Sequence, residues 1–157
     1  MPDVVEVVRS AQVPAAIGQV WAVVSDPDRA ADWFSFAERT DVIAGEGKGQ
    51  LRRQHGRWGN RRSEIDQEVV EFEPPAVIAW KHTDERLDGQ PAPTFAVSTV
   101  FRIELVADGE RTTVTLRTVQ RPASPVKGLL MRAAATREVK RRMAESLARL
   151  ARAVVSG

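Results

Sequence analysis

Residues 129–155 read LLMRAAATREVKRRMAESLARLARAVV, and neither Gly nor Pro breaks the run. Val139, Met143, Leu147, Leu150 and Val154 recur at helical spacing, which predicts one long amphipathic helix with an apolar stripe. Ser124-Pro125 marks its start. The two halves of this helix differ. Met143, Leu147 and Leu150 in the second half are bulky, whereas the first half offers Ala133, Ala134 and Ala135. Small side chains at one end either leave a hole beneath the helix or let helix and sheet backbones pack closely.

Upstream of the helix the pattern is that of strands joined by short turns. Strands are expected over 37–44, 50–58, 61–73, 76–83, 94–107 and 111–120. Gly45-Glu46-Gly47-Lys48-Gly49, Gly59-Asn60, Pro74-Pro75 and Asp108-Gly109 supply turns, and residues 84–93 read as a polar loop. Strands linked so tightly are antiparallel. A Val-rich strand over 4–13 comes first and ends at Pro14. Ile17, Val20, Trp21 and Val24 then share one helix face, and Asp26-Pro27 caps a second short helix reaching about Phe34. The order β-α-α-β-β-β-β-β-β-α gives an α+β fold: a curved antiparallel sheet around a long C-terminal helix, one domain over 1–157.

Alternation assigns the inner face of the sheet. Ile65, Gln67 and Val69 point in, because Glu64, Asp66 and Glu68 seek water. Ile78, Trp80 and His82 point in opposite Lys81, as do Val97, Thr99, Phe101, Ile103 and Leu105, and then Val114, Leu116 and Thr118. The strand over 50–58 is ambiguous. Leu51, Arg53 and His55 share one face, and Arg52, Gln54 and Trp58 the other; the Leu51 face is favoured as inner.

Composition excludes several chemistries. The chain of 157 residues has no cysteine, hence no disulfide or thiolate metal site. Two histidines make a poor metal site, and no metal or cofactor is expected. G-x-S-x-G, Walker and G-x-G-x-x-G motifs are absent, and the glycines at 45–49 read as a hairpin turn. MPDVVEVVRS lacks a signal-peptide pattern and no apolar run spans a bilayer, so a cytoplasmic protein without a membrane span is expected, monomer or homodimer. From Arg121 onward nine Lys/Arg face two acids, a net +7, leaving −5 for the remainder of a chain whose total is +2. The basic segment reads either as a solvated helix face or as a surface for nucleic acid or anionic lipid. The first is favoured: the rest of the domain repels a polyanion, and no aromatic residue lies among Arg132, Lys140, Arg141 and Arg149 to stack a base.

Several segments together resemble the START-like, or SRPBCC, helix-grip superfamily, in its polyketide cyclase/dehydrase and lipid transport branch. They are Val13-Pro14, Val20-Trp21, Asp26-Pro27 through Asp32-Trp33, the turn at Gly47 to Gly49, Phe72-Glu73-Pro74-Pro75 leading to Trp80, and the hairpin from Gly109 to Leu116. The resemblance implies a cavity between sheet and helix for lipids, sterols, plant hormones or polyketides, with catalysis in a minority of members. It implies that Trp33, Phe34 and Phe36 close the cavity mouth, although packing beneath the sheet edge explains them equally. Aromatic cyclases of this kind hold phenol and enolate oxygens with a pocket arginine and often a tyrosine. Arg61 or Arg62 lies on the corresponding strand, but the chain has no tyrosine, which weighs against cyclase activity.

The leading expectation is a binder of an apolar, ring-bearing molecule. The expected lining is Trp33, Phe34, Phe36, His55, Ile65, Gln67, Trp80, His82, Val97, Thr99, Phe101, Leu130 and Ala134. His82 and Arg61 are the candidate catalytic groups, since an imidazole in an apolar wall can orient a hydroxyl or move a proton. A cyclase or dehydratase is the alternative, and a regulatory module using the basic helix is the third reading.

Overall fold

A computed structural model describes residues 4–93, 96–130 and 136–156. Strand β1 (Val5–Val13) leads into helix α1 (Ile17–Val24), a single 3-10 turn (Pro27–Arg29) and helix α2 (Ala30–Trp33). Asp26 caps the turn as the sequence suggested: its Oδ1 accepts from the Asp28 N–H at 2.9 Å, with Pro27 in the first position. Strands β2 (Arg39–Ala44), β3 (Leu51–Trp58), β4 (Arg61–Glu73), β5 (Val77–Leu87), β6 (Gln90–Pro91), β7 (Ala96–Asp108) and β8 (Arg111–Pro122) follow. Helices α3 (Pro125–Leu130) and α4 (Thr136–Ser156) complete the chain.

The strands form one antiparallel sheet in the order β1-β8-β7-β5-β4-β3-β2, with β6 beside β5. The loop expected over 84–93 is mostly strand. β5 runs on to Leu87, and Asp88-Gly89 turns the chain so that Gln90 and Pro91 pair with Leu87 and Arg86. The missed signal is the pairing of a charged strand with a charged strand, Glu64 to Asp66 opposite Asp84 to Arg86, which alternation of apolar residues cannot reveal. The expected single helix over 129–155 is represented by α3 and α4. Ala133, Ala134 and Ala135, and with them the argument for a hole beneath small side chains, lie outside the described residues.

The sheet curls around α4, which packs on β1 and the two short helices. Met143, Leu147 and Leu150 are buried, and Val139 and Val154 flank them, half-buried. They meet Val20, Val23 and Val24 from α1 and the inner residues Ile78, Ile103, Val114 and Leu116 of the sheet. Each such side chain contributes roughly 1.5–3 kcal/mol on burial.

Candidate functional site

Five aromatic rings occupy the interior between α2 and the sheet. Trp80 on β5 and Phe101 on β7 face each other in the strand register and stack, with centroids 5.3 Å apart and planes 11° apart. Phe34 turns its edge to both, at 5.8 and 5.0 Å, and touches Trp33 and Phe36, each at 5.0 Å. Edge-to-face and offset stacking of this kind is favoured by the ring quadrupoles.

The segment carrying Phe34 and Phe36 is tied down on both sides. The Ser35 N–H donates to Ser146 Oγ at 2.9 Å, and Ser35 Oγ donates to the Arg142 carbonyl at 2.8 Å. The Arg142 guanidinium lies over the Phe36 ring at 5.8 Å and the Trp58 ring at 5.2 Å, while its Nη2 donates to the Arg57 carbonyl. On the other side the Phe36 carbonyl lies against Gly56, so closely that a Cβ there would collide with it. Glycine at 56 is therefore a condition of the segment's path over β3.

Beside the rings lies a polar end. Arg52 is 6% exposed; its Nε donates to Gln50 Oε1 at 2.6 Å and its Nη2 to the Ser25 carbonyl at 3.3 Å. Its guanidinium lies 6.0 Å from the Trp80 ring centre. Burial pushes Arg52 down to about 10, and the Asp26 carboxylate, acting through space, opposes the shift, so the group is charged at neutral pH. Gln67 donates to Gln54 at 3.0 Å, and Gln54 reaches the Phe36 carbonyl at 3.4 Å. Arg52, Gln54, Gln67, Trp33, Phe34 and Trp80 border a cavity of about 20 Å³, which has room for one water molecule.

Among the described residues three buried polar atoms have no hydrogen-bond partner: Trp33 Nε1, His82 Nδ1 and Thr118 Oγ1. A buried polar group left without a partner costs about 1–3 kcal/mol, so each is a place where a bound group would be rewarded. His82 lies on β5 opposite Gln67; its Nδ1 is 3.4 Å from Glu85 Oε2 without bonding to it. Thr99 accepts from Gln120 at 3.3 Å.

Trp33, Phe34, Gln67, Trp80, Thr99 and Phe101 are buried on the inner side, and Phe36, Ile65 and His82 are half-buried. Five sequence expectations fall differently. On β3 the inner residues are Arg52 and Gln54, not Leu51, Arg53 and His55. His55 stands on the outer face, 3.0 Å from Asp41 and 3.5 Å from Glu64. Arg61 is exposed beside the Gly59-Asn60 turn and pairs with Asp88 at 3.2 Å. Arg62 is exposed too, its N–H bonded to Asp88. Val97 is 68% exposed, because the β7–β8 register shifts between Ala96 and Ser98 and breaks the alternation there. Leu130 is 53% exposed, since α3 turns Gly128 rather than Leu130 toward the sheet. Ala134 lies outside the described residues. Sequence reasoning passed over Arg52 and Gln54 as the polar end. The available signal was Trp58, whose parity ties it to that face, but it is exposed at the strand's end.

Among the described residues no cluster of His, Asp or Glu could hold a metal ion, and no helix is long and apolar enough to cross a membrane.

A sheet gripping a long C-terminal helix, with two short helices after the first strand, defines the START-like helix-grip class. Residues 4–155 match the model of the family described as polyketide cyclase / dehydrase and lipid transport. The chain belongs to that family. Among solved structures it is similar to TTHA0849 from Thermus thermophilus, at 17% identity and a TM-score of 0.77, covering 97% of this chain and 98% of that one. It is also similar to the Zhui aromatase/cyclase from a Streptomyces species, at 19% identity and a TM-score of 0.74, covering 96% and 93%. DynU16, from the dynemicin biosynthetic locus, is 24% identical with a TM-score of 0.64, over 94% of this chain and 46% of that one. At these identities the likeness establishes the fold. No curated protein matches the sequence.

Proposed function

We propose that the chain binds an apolar, ring-bearing molecule, lipid- or polyketide-like, between the sheet and the C-terminal helix. The ring lies against Trp80 and Phe101, and an oxygen of the ligand meets Arg52. The observation that carries this reading is Arg52 itself. A guanidinium buried beside an indole, hydrogen-bonded only to neutral acceptors, is costly to the fold, and an anionic or carbonyl oxygen would repay it through a charge-assisted bond. Trp33, which borders the same cavity and whose buried indole N–H has no partner, supports it. Because the cavity holds about 20 Å³, a ring enters only by displacing Phe34 and Phe36.

Native mass spectrometry of the freshly purified protein should reveal a bound small molecule. A variant retaining Trp80 alone among the four tryptophans should lose fluorescence on adding an apolar aromatic probe. Neither a bound mass nor a response at saturating probe would reject the reading.

One observation favours a second reading, a cyclase or dehydratase acting in the same place. His82 faces inward with Nδ1 unbonded, as a group that moves a proton requires. His82→Ala should then retain the bound mass and lose turnover of a linear polyketide. Turnover equal to the wild type would remove His82 from any catalytic role.

A further inference from the structure

Helix α3 is amphipathic in the wrong sense for a helix that serves the core. Val126, Leu129 and Leu130 stand at i, i+3 and i+4, one continuous stripe, and are 69%, 68% and 53% exposed. The side turned to the protein is Gly128, where a Cβ would press on Pro122 Cγ at 3.0 Å. Pro122 pairs with Ala96, and Val97, the next residue along β7, is exposed as well. Four of the large apolar side chains that the fold leaves in water thus gather around one end of β7 and β8. Scattered exposed aliphatics need no explanation, but a contiguous group marks a surface made to be covered.

The charge nearby selects the cover. Residues 121–137 contain Arg121, Lys127, Arg132 and Arg137 and no acid. Farther along α4, Glu138 pairs with Arg141 and Arg142 and Glu145 with Arg149, and residues 138–157 still carry a net +3. The whole segment from Arg121 onward is thus basic, net +7, and Arg121 and Lys127 lie on the two elements, β8 and α3, that frame the apolar stripe. A second copy docking by this patch would set like charges together. Nucleic acid would accept the cations but gain nothing from the four exposed aliphatic side chains. An apolar stripe framed by Lys and Arg is what an anionic lipid interface accepts, the side chains sinking to the acyl boundary and the cations meeting the headgroups. We propose that the α3 face docks the protein onto an anionic bilayer surface, without crossing it. This proposal stands apart from the assignment of the interior.

The test is flotation of the full chain with vesicles of phosphatidylcholine alone and of phosphatidylcholine mixed with phosphatidylserine. The expected result is recovery with the phosphatidylserine vesicles, weakened by salt. The double variant Val126→Glu/Leu129→Glu should bind at least about tenfold more weakly at an unchanged melting temperature. Leu129→Gln, which adds no charge, should fall between the two. Failure to bind phosphatidylserine vesicles, equal binding to both vesicle types, or wild-type binding by the double variant would each overturn the proposal. So would a dimer in sedimentation that the double variant converts to monomer, since the patch would then belong to a second copy.

Discussion

The two faces of the same sheet hold their arginines on opposite terms. On the outer face Arg86 meets Glu64, Asp66 and Asp84, Arg53 shares Asp66, Arg102 joins Glu71 and Glu104, and Arg117 joins Glu6 and Glu104. Every one of these cations has a carboxylate within reach, and the pairs are open to water. On the inner face Arg52 has amide and carbonyl acceptors and an indole, with Asp26 acting only from a distance. A mesh of exposed pairs is redundant, and losing one changes little. A lone buried cation is neither redundant nor cheap. The difference separates charges that keep a surface soluble from a charge placed for something else.

The comparison can be broken hardest at the inner rings. Trp80→Ala should destabilise the protein by about 3–5 kcal/mol in urea unfolding, since it removes a buried ring stacked on Phe101. A loss under about 1 kcal/mol would mean that the inner face is no better packed than the outer. Gly56→Ala comes next. The new Cβ meets the Phe36 carbonyl, so the melting temperature should fall by an amount equivalent to about 1–3 kcal/mol. An unchanged melting temperature would show that the segment over β3 is free to shift.

Arg52→Met sharpens the contrast by splitting stability from binding. Replacing the buried charge with an apolar chain of similar length should leave stability unchanged or raise it by about 1–2 kcal/mol, while the Trp80 response to an aromatic carboxylate probe falls. Lower stability together with undiminished binding would make Arg52 a structural residue. The smallest effect belongs to acid. A hydrogen bond from Arg53 holds the Asp66 carboxyl below its ordinary value of 3.8; burial opposes this and Arg86 adds to it. The folded chain therefore takes up this proton less readily than the unfolded one. The stabilisation is complete above about pH 4 and is lost as pH falls through the lowered folded value. Melting curves of wild type and Asp66→Asn should converge in acid. A gap that stays constant would mean the pair contributes nothing through its charge.

Periodicity made most of this fold legible. The stripe from Val139 to Val154, the Asp26-Pro27 cap and the strand over 61–73 needed nothing beyond local pattern. The site was less legible because its decisive residue breaks the rule that reads faces. On β3 both faces carry an arginine, and the apolar Leu51 pointed to the wrong one: it is 41% exposed, with Arg52 buried behind it. What makes that burial tolerable comes from far along the chain, the Ser25 carbonyl and the Trp80 indole. Local alternation contains neither. Val97 failed for a simpler reason: the register shift beside it changes which face a side chain takes.

The ties on Ser35 and Phe36 also set a clock. If a ring binds as proposed, then with Phe34 and Phe36 filling the interior it would enter only once the segment over 34–36 lets go of Ser146 and Arg142. Raising the ligand concentration then speeds association only up to the rate of that release, and the observed rate levels off. The same ties would hold a captured ring in place, giving long residence even at modest affinity. On the proposed function, cargo exchange would follow a schedule set by Ser35, Ser146 and Arg142 rather than by diffusion.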